Sequence, residues 1–309
     1  LDAEILRLEQ ILQTNISPRL RGVRFRAIPL QSGGNVLLIR VPKAWTGLHL
    51  VKLNDSYRFY SRNSKGKYIM DADEIRSGFV AVETGYERMR KFREDRLEKI
   101  SIGDTPLSMP SGPKVVLHLV PFSILDPTIE YDLDLLTGLE SPLPIGCDSF
   151  THQYNFDGKV FYRPPRNGLT DTYVQVFRNG IVEACADNLF DASKKLLSSY
   201  ALEKYLINAL NNYLSRLKLL GVAEPFALGV SVIGAKGWTL QIYLPKWGGP
   251  EPVPFGSQNL IVPEIRIDSY EQASHTVLRP AFDRMWNAAG RECSAHYAEN
   301  GDWIADARR

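Results

Sequence analysis

Residues 172–186 read Thr-Tyr-Val-Gln-Val-Phe-Arg-Asn-Gly-Ile-Val-Glu-Ala-Cys-Ala, two β-forming runs on either side of Arg178-Asn179-Gly180. An Asn-Gly pair in that position is the strongest short hairpin signal, because both residues accept the positive φ of a tight turn. Antiparallel strands are expected over Thr172–Phe177 and Ile181–Ala186. Upstream, Tyr154–Asp157 and Lys159–Arg163 flank a turn at Asp157-Gly158. Before them come a short helical patch near Tyr131–Leu136 and a strand over Val115–Val120, interrupted by His118.

Downstream, Leu196, Tyr200, Leu206, Leu210, Tyr213, Leu214 and Leu217 recur at helical spacing over about twenty residues, and Gly221 closes the run. Phe226–Ile233 and Trp238–Leu244 read as a further hairpin, Ile261–Ile267 as a strand, and Thr276–Ala289 as a last helix carrying Val277, Phe282, Met285 and Trp286. Strand meanders with two substantial helices define an α+β protein.

The N-terminal third repeats the theme on a smaller scale. A helix through Leu1, Ile5, Leu8, Ile11 and Leu12 ends at Pro18. It opens without a cap, which predicts that further sequence precedes it. Val23–Leu30 and Asn35–Val41 form a hairpin around Gln31-Ser32-Gly33-Gly34. Its apolar second strand, Val36-Leu37-Leu38-Ile39, is expected to be covered on both faces. Leu48–Leu53 and Tyr57–Arg62 form the next hairpin, followed by a polar loop, Asn63-Ser64-Lys65-Gly66-Lys67. Asp71 and Asp73 mark a helix start, with Ile75, Phe79 and Val82 as its apolar stripe. The helix over Glu83–Ile100 alternates acids and bases densely. It reads as a solvated helix with i,i+4 pairs, or else as a bridging helix. Breakers over Gly103–Pro113 place a boundary there, giving domains at 1–103 and 104–309.

Composition narrows the function. With 44% hydrophobic and 23% charged residues, the chain is neither disordered nor fibrous. No apolar run reaches the roughly 20 residues of a membrane-spanning helix. Cys147, Cys185 and Cys293 are too widely spaced for local zinc ligation or a small disulfide framework, so a reduced, cytoplasmic setting is expected. No phosphate-cradling glycine loop, serine-hydrolase elbow or His-Glu-x-x-His occurs, and neither a metal nor a cofactor is called for. Asp126, Glu130, Asp132 and Asp134 read as a polar loop and helix cap rather than a divalent-metal site.

The net charge of +2 hides an asymmetry. Residues 1–103 hold 19 Lys/Arg against 12 Asp/Glu, whereas residues 104–309 hold 18 against 23. From Arg19 to Lys67 Asp55 is the sole acid, and such a basic stretch suits a phosphate backbone. Within it stands Tyr57-Arg58-Phe59-Tyr60-Ser61-Arg62. On a strand, Arg58, Tyr60 and Arg62 share one face, and Ser64, Lys65 and Lys67 follow as phosphate donors. Stacking of a base on Tyr60 with phosphates on the flanking cations is one reading. The other is a solvated cross-strand surface on which the aromatic merely packs.

At this point a family resemblance emerges. Ile16-x-Pro18, Val36-Leu37-Leu38-Ile39-Arg40-Val41-Pro42, Tyr60-x-Arg62-x-Ser64 and Met70-Asp71-x-x-Glu74-Ile75-Arg76 resemble the C-terminal half of the Schlafen-type AlbA-like domain, over about residues 1–100. The run Arg90–Arg96 is similar to bacterial members of that group, and Val262-Pro263-Glu264 and Leu278-Arg279-Pro280-x-Phe282-Asp283-x-x-Trp286-Asn287-Ala288 resemble their accessory region. The resemblance implies DNA or RNA as partner, through Tyr60, Arg62 and Ser64, in a regulatory or defence role. It assigns no catalytic residue, because the acids of the nuclease-active members lie in the other half of that domain. Two alternatives stay open: a metal-dependent nuclease using Mg or Mn, with acids supplied by preceding sequence, and a non-enzymatic interaction or sensor module. Self-association is a further expected partnership; a membrane is not. The ATP-binding label some members carry has no phosphate-loop motif here to support it.

Overall fold

The computed structural model describes residues 2–20, 23–31, 33–41, 47–125, 128–242 and 253–304. Pro42, Asp126, the end of the Trp238–Leu244 run and the side chain of Val82 lie outside the described residues. The chain is mixed α+β and divides into two compact units, 1–88 and 89–309.

In the first unit α1 (Asp2–Asn15) leads into β1 (Ile16–Ser17), then β2 (Arg24–Pro29), β3 (Asn35–Arg40), β4 (Leu50–Leu53), β5 (Ser56–Asn63) and β6 (Gly66–Ile69). Pro18 forces the residue before it to be extended, so Ile16 and Ser17 leave the helix and pair with Val51 and Leu50. A sheet of order β1-β4-β5-β6 results. Asn54 and Asp55 both take positive φ, 48° and 58°, as the two-residue turn joining β4 to β5 demands.

Two expectations fail in this unit. The segment after Arg62 is a second tight hairpin rather than a loop: the turn occupies Ser64 and Lys65, and Arg62 faces Lys67 across the ladder. Nor is the apolar β3 covered on both faces. It pairs only with β2 among the described residues, and Val36, Leu38 and Ile39 are 46%, 52% and 45% exposed. A two-stranded ribbon has no neighbour to bury its second face.

One continuous helix, α2 (Ala72–Ser101), runs across the division between the units. A reciprocal cap starts it: the Glu74 amide donates to Asp71 Oδ1 at 2.8 Å, and the Asp71 amide donates to Glu74 Oε2 at 3.0 Å. Its later half is solvated on one face only: Lys91, Glu94, Asp95, Glu98 and Lys99 are exposed. Met89, Arg93, Leu97 and Ile100 are buried, because their side chains lie on the sheet of the second unit.

That sheet comprises β7 (Lys114–Pro121), β8 (Thr151–Tyr154), β9 (Gly158–Tyr162), β10 (Thr172–Phe177), β11 (Val182–Ala186), β14 (Phe226–Ile233), β16 (Asn259–Ile261) and β17 (Ile265–Ile267). Its order is β16-β14-β7-β11-β10-β9-β8, with β17 also on β14. The Asn-Gly hairpin sits at its centre as β10–β11. Leu117, Val174, Ala184 and Val230 point to a face covered by α3 (Ser199–Leu219) and α4 (Ser274–Ala288). Val116, Tyr173, Cys185 and Ile233 point to the face that takes Leu97 and Ile100.

Four further expectations are corrected or sharpened. Leu196 belongs to a strand, β13 (Leu196–Ser198), and the helix starts only where the Ser198 hydroxyl accepts from the Ala201 amide at 3.2 Å. The residues after β14 do not fold back on it. Both edges of β14 are already taken, so β15 (Thr239–Gln241) instead runs parallel to β13, in a small sheet with β12 (Phe190–Asp191). The run Ile261–Ile267 is two strands, since Pro263 has no N–H to carry the ladder through. The patch at Tyr131–Leu136 is a single 3-10 turn over Leu133–Leu135, capped by the Asp132 carboxylate.

Candidate nucleic-acid interface

The alternation of β5 sorts its side chains by chemistry. Tyr57, Phe59 and Ser61 share one face, and that face meets α2: the Phe59 and Phe79 rings lie edge to face at 5.9 Å, and the Tyr68 hydroxyl donates to Glu74 at 2.7 Å. Arg58, Tyr60 and Arg62 therefore take the opposite face. The register extends that face sideways, with Val51 opposite Arg58, Ile69 opposite Tyr60 and Lys67 opposite Arg62.

Five of the six residues singled out from the sequence, Arg58, Arg62, Ser64, Lys65 and Lys67, are exposed, and Tyr60 is half-buried. The Lys67 ammonium stands 5.7 Å from the centre of the Tyr60 ring. Arg58 Nε donates to Ser56 Oγ at 2.9 Å, which holds one guanidinium along the strand. Ser64 and Lys65 form the turn, fixed by the Lys65 amide donating to Asn63 Oδ1 at 2.9 Å. Among the described residues no carboxylate pairs with Arg58, Arg62, Lys65 or Lys67. The result is a ring flanked by unneutralised cations, with Val51 and Ile69 as its apolar border. Such a face can stack a flat base and pair with phosphate oxygens.

A second polar constellation escaped the sequence reading. Arg96 donates two hydrogen bonds of 2.7 Å to the buried carboxylate of Glu183. Glu183 also accepts from the Tyr173 hydroxyl at 2.9 Å and lies 3.0 Å from His118 Nε2. Burial alone would push the Glu183 carboxyl up; the hydrogen bonds from Arg96 and His118 outweigh it and hold the group at about 2. Next to it Arg93 donates to the Val262 and Val230 carbonyls, Ser231 Oγ and Glu264 Oε1, all within 2.9 Å. The segments 90–96 and 262–264 thus meet along a groove of about 330 Å³. The one available signal was an ionisable side chain inside an apolar strand, His118 in β7 and Glu183 in β11.

On the other face the Glu203 carboxylate collects Trp286 Nε1, Ser294 Oγ and Trp303 Nε1 at 2.8, 2.8 and 2.9 Å. Trp286 is a core residue, as its place on a helix suggested. Cys147 and Cys185 are buried and Cys293 half-buried, all as free thiols.

No protein-family model matches the chain, and comparison with curated proteins and with solved structures yields no match either. Among the described residues no helix is long and apolar enough to cross a membrane.

Proposed function

We propose that the chain is a nucleic-acid-binding protein that holds DNA or RNA on the outer face of β5 and β6. Arg58, Arg62, Lys65 and Lys67 meet phosphates, Ser64 donates to them at the turn, and Tyr60 stacks on a base. The sequence resemblance supports reading it as a member of the Schlafen AlbA-like group with a cytoplasmic, regulatory or defence role. One observation carries the reading: four cations gather on one face of β5 and β6 and the turn between them, beside an aromatic ring, and among the described residues no carboxylate pairs with them. A structural surface would gain nothing from placing Arg62 opposite Lys67, because like charges directly across a ladder repel.

The test is fluorescence anisotropy with labelled single-stranded and duplex oligonucleotides over a salt series. Neutralising about four phosphates gives a slope of log K against log salt between about −2.8 and −3.6. Replacing Arg58, Arg62, Lys65 and Lys67 together by Glu abolishes binding, while Tyr60→Ala weakens single-strand binding by roughly tenfold or more. Binding unchanged in the fourfold variant overturns the assignment.

A further inference from the structure

We propose that Asn167 is a modification site: it deamidates spontaneously to aspartate and isoaspartate, while the fold protects the chain's two other Asn-Gly pairs, Asn179-Gly180 and Asn300-Gly301. The inference goes beyond nucleic-acid binding and uses none of its residues.

The chemistry needs two free groups. The peptide nitrogen after an asparagine gives up its proton and attacks the side-chain carbon Cγ. The new N–Cγ bond closes a succinimide ring, the Cγ–Nδ2 bond breaks, and Nδ2 leaves as ammonia with that proton. Water then opens the ring at either carbonyl, to aspartate or to isoaspartate, so water is the only co-reactant. A following glycine has no Cβ to obstruct the attack. Given that glycine, the rate turns on two things: whether its N–H is held in a hydrogen bond, and whether the asparagine amide can swing onto it.

At two of the pairs both groups are held. The Gly180 amide donates to the Phe177 carbonyl at 2.9 Å, and Asn179 Oδ1 accepts from the Ile181 amide at 3.3 Å, within the hairpin of β10 and β11. The Gly301 amide donates to the Ala298 carbonyl at 2.9 Å. Asn300 is tied through both atoms of its amide: Nδ2 donates to Asp302 Oδ2 at 2.7 Å, and Oδ1 accepts from the Asp302 amide at 3.1 Å.

The third pair forms the exposed two-residue turn between Arg166 and Leu169, where Asn167 and Gly168 take φ of 54° and 78°. In such a turn the hydrogen bonds belong to the flanking residues. Here the Arg166 amide donates to the Leu169 carbonyl at 2.9 Å and the Leu169 amide to the Arg166 carbonyl at 3.1 Å. The Gly168 amide and the Asn167 side chain have no partner among the described residues. Pro164 and Pro165 have no N–H to extend the pairing, so the ladder stops at Arg166. Local opening of this turn therefore suffices to bring Cγ onto the Gly168 nitrogen. Conversion sets a carboxylate beside Arg166 and, in the isoaspartyl form, an extra carbon in the backbone of the turn.

Peptide mapping by mass spectrometry tests the proposal, with the native chain incubated in mildly alkaline buffer and each pair followed by its amide-to-acid mass change. Asn167 is expected to convert at least about tenfold faster than Asn179 or Asn300, because a held N–H and a held side chain each slow the attack several-fold. In the chain unfolded by guanidinium the three rates converge to within a few-fold. Methyl transfer from labelled S-adenosylmethionine by an isoaspartyl methyltransferase marks the isoaspartyl product, and Asn167→Gly, which keeps the positive φ of the turn, removes most of the label from the native chain. Equal rates at Asn167 and either other pair in the native chain overturn the proposal. So does a native chain in which all three pairs stay intact while the unfolded chain reacts, a ranking unchanged by unfolding, or label undiminished in Asn167→Gly.

Discussion

The two units handle the same side chain in opposite ways. On β5, Arg58 and Arg62 stand in solvent with no carboxylate opposite them. On the later half of α2, Arg93 and Arg96 are sunk onto a sheet, and carbonyls, a hydroxyl and two carboxylates receive their N–H groups. A buried guanidinium held by four hydrogen bonds, as at Arg93, or by a two-pronged carboxylate contact, as at Arg96, is part of the fold. An exposed one that no carboxylate of the described residues pairs with is available to a ligand. The comparison predicts that substitutions in the second unit act on stability, and those on β5 act on binding.

The largest effect falls on the Arg96–Glu183 pair, whose side chains are 11% and 0% exposed. Arg96→Ala leaves a buried carboxylate with only His118 and Tyr173, a loss of about 3–5 kcal/mol in urea unfolding. Arg96→Lys keeps the charge but loses the two-pronged fit, and should fall between the two. If Arg96→Ala costs no more than a surface substitution, the division between structural and exposed arginines breaks down.

Acid provides the next test. A carboxyl with an ordinary value of 4.5 that is held at about 2 in the folded chain stabilises it fully above pH 4.5. That contribution is lost as the pH falls from 4.5 toward 2, and amounts to about 3 kcal/mol. Urea midpoints at pH 7, 4.5 and 3 should therefore fall more steeply for the native chain than for Glu183→Gln. Parallel curves would assign the acid sensitivity to other groups.

A matched pair of glycines sharpens the contrast. A Cβ on Gly229 would lie 2.6 Å from Arg93 Nε and 2.9 Å from Cδ and Cζ. Four hydrogen bonds hold Arg93 in place, so Gly229→Ala should destabilise by about 1–3 kcal/mol. A Cβ on Gly78 in α2 would meet Leu48 at 2.8 Å, but there the neighbour is an aliphatic side chain that can rotate. Gly78→Ala also gains roughly 0.5–1 kcal/mol of helix preference, so its net effect should lie near zero.

These contrasts also explain what the sequence disclosed. Local rules sufficed for the hairpins: Asn54 and Asp55 both take the positive φ of their two-residue turn, and Gly180 takes it in the three-residue turn Arg178–Gly180. The common face of Arg58, Tyr60 and Arg62 follows from strand alternation alone. Lys67 joined it through a second hairpin that had read as a loop, because nothing local signals a two-residue turn of Ser-Lys. Non-local facts stayed hidden. Arg93 and Arg96 look as solvated as the exposed Glu87, Lys91, Glu94 and Glu98 around them until a sheet with Glu183, Ser231 and an unadorned Gly229 is laid beneath them. Likewise β3 looks like a buried central strand, yet its burial depends on a neighbour that the sequence around it does not specify.

The smallest prediction turns on the Arg62–Lys67 cross-strand pair. Two like charges directly opposite each other destabilise a ladder, and no acid relieves them here. Arg62→Gln should therefore leave stability unchanged or raise it by a few tenths of a kcal/mol at low salt. The gain should vanish at about 1 M salt, where the screening length is about 3 Å. The same variant should bind oligonucleotides more weakly, so stability and affinity move in opposite directions. A residue kept for packing would lose both together. A fall in stability on Arg62→Gln would thus move Arg62 to the structural side of the comparison and leave Tyr60 with one fewer phosphate-binding neighbour.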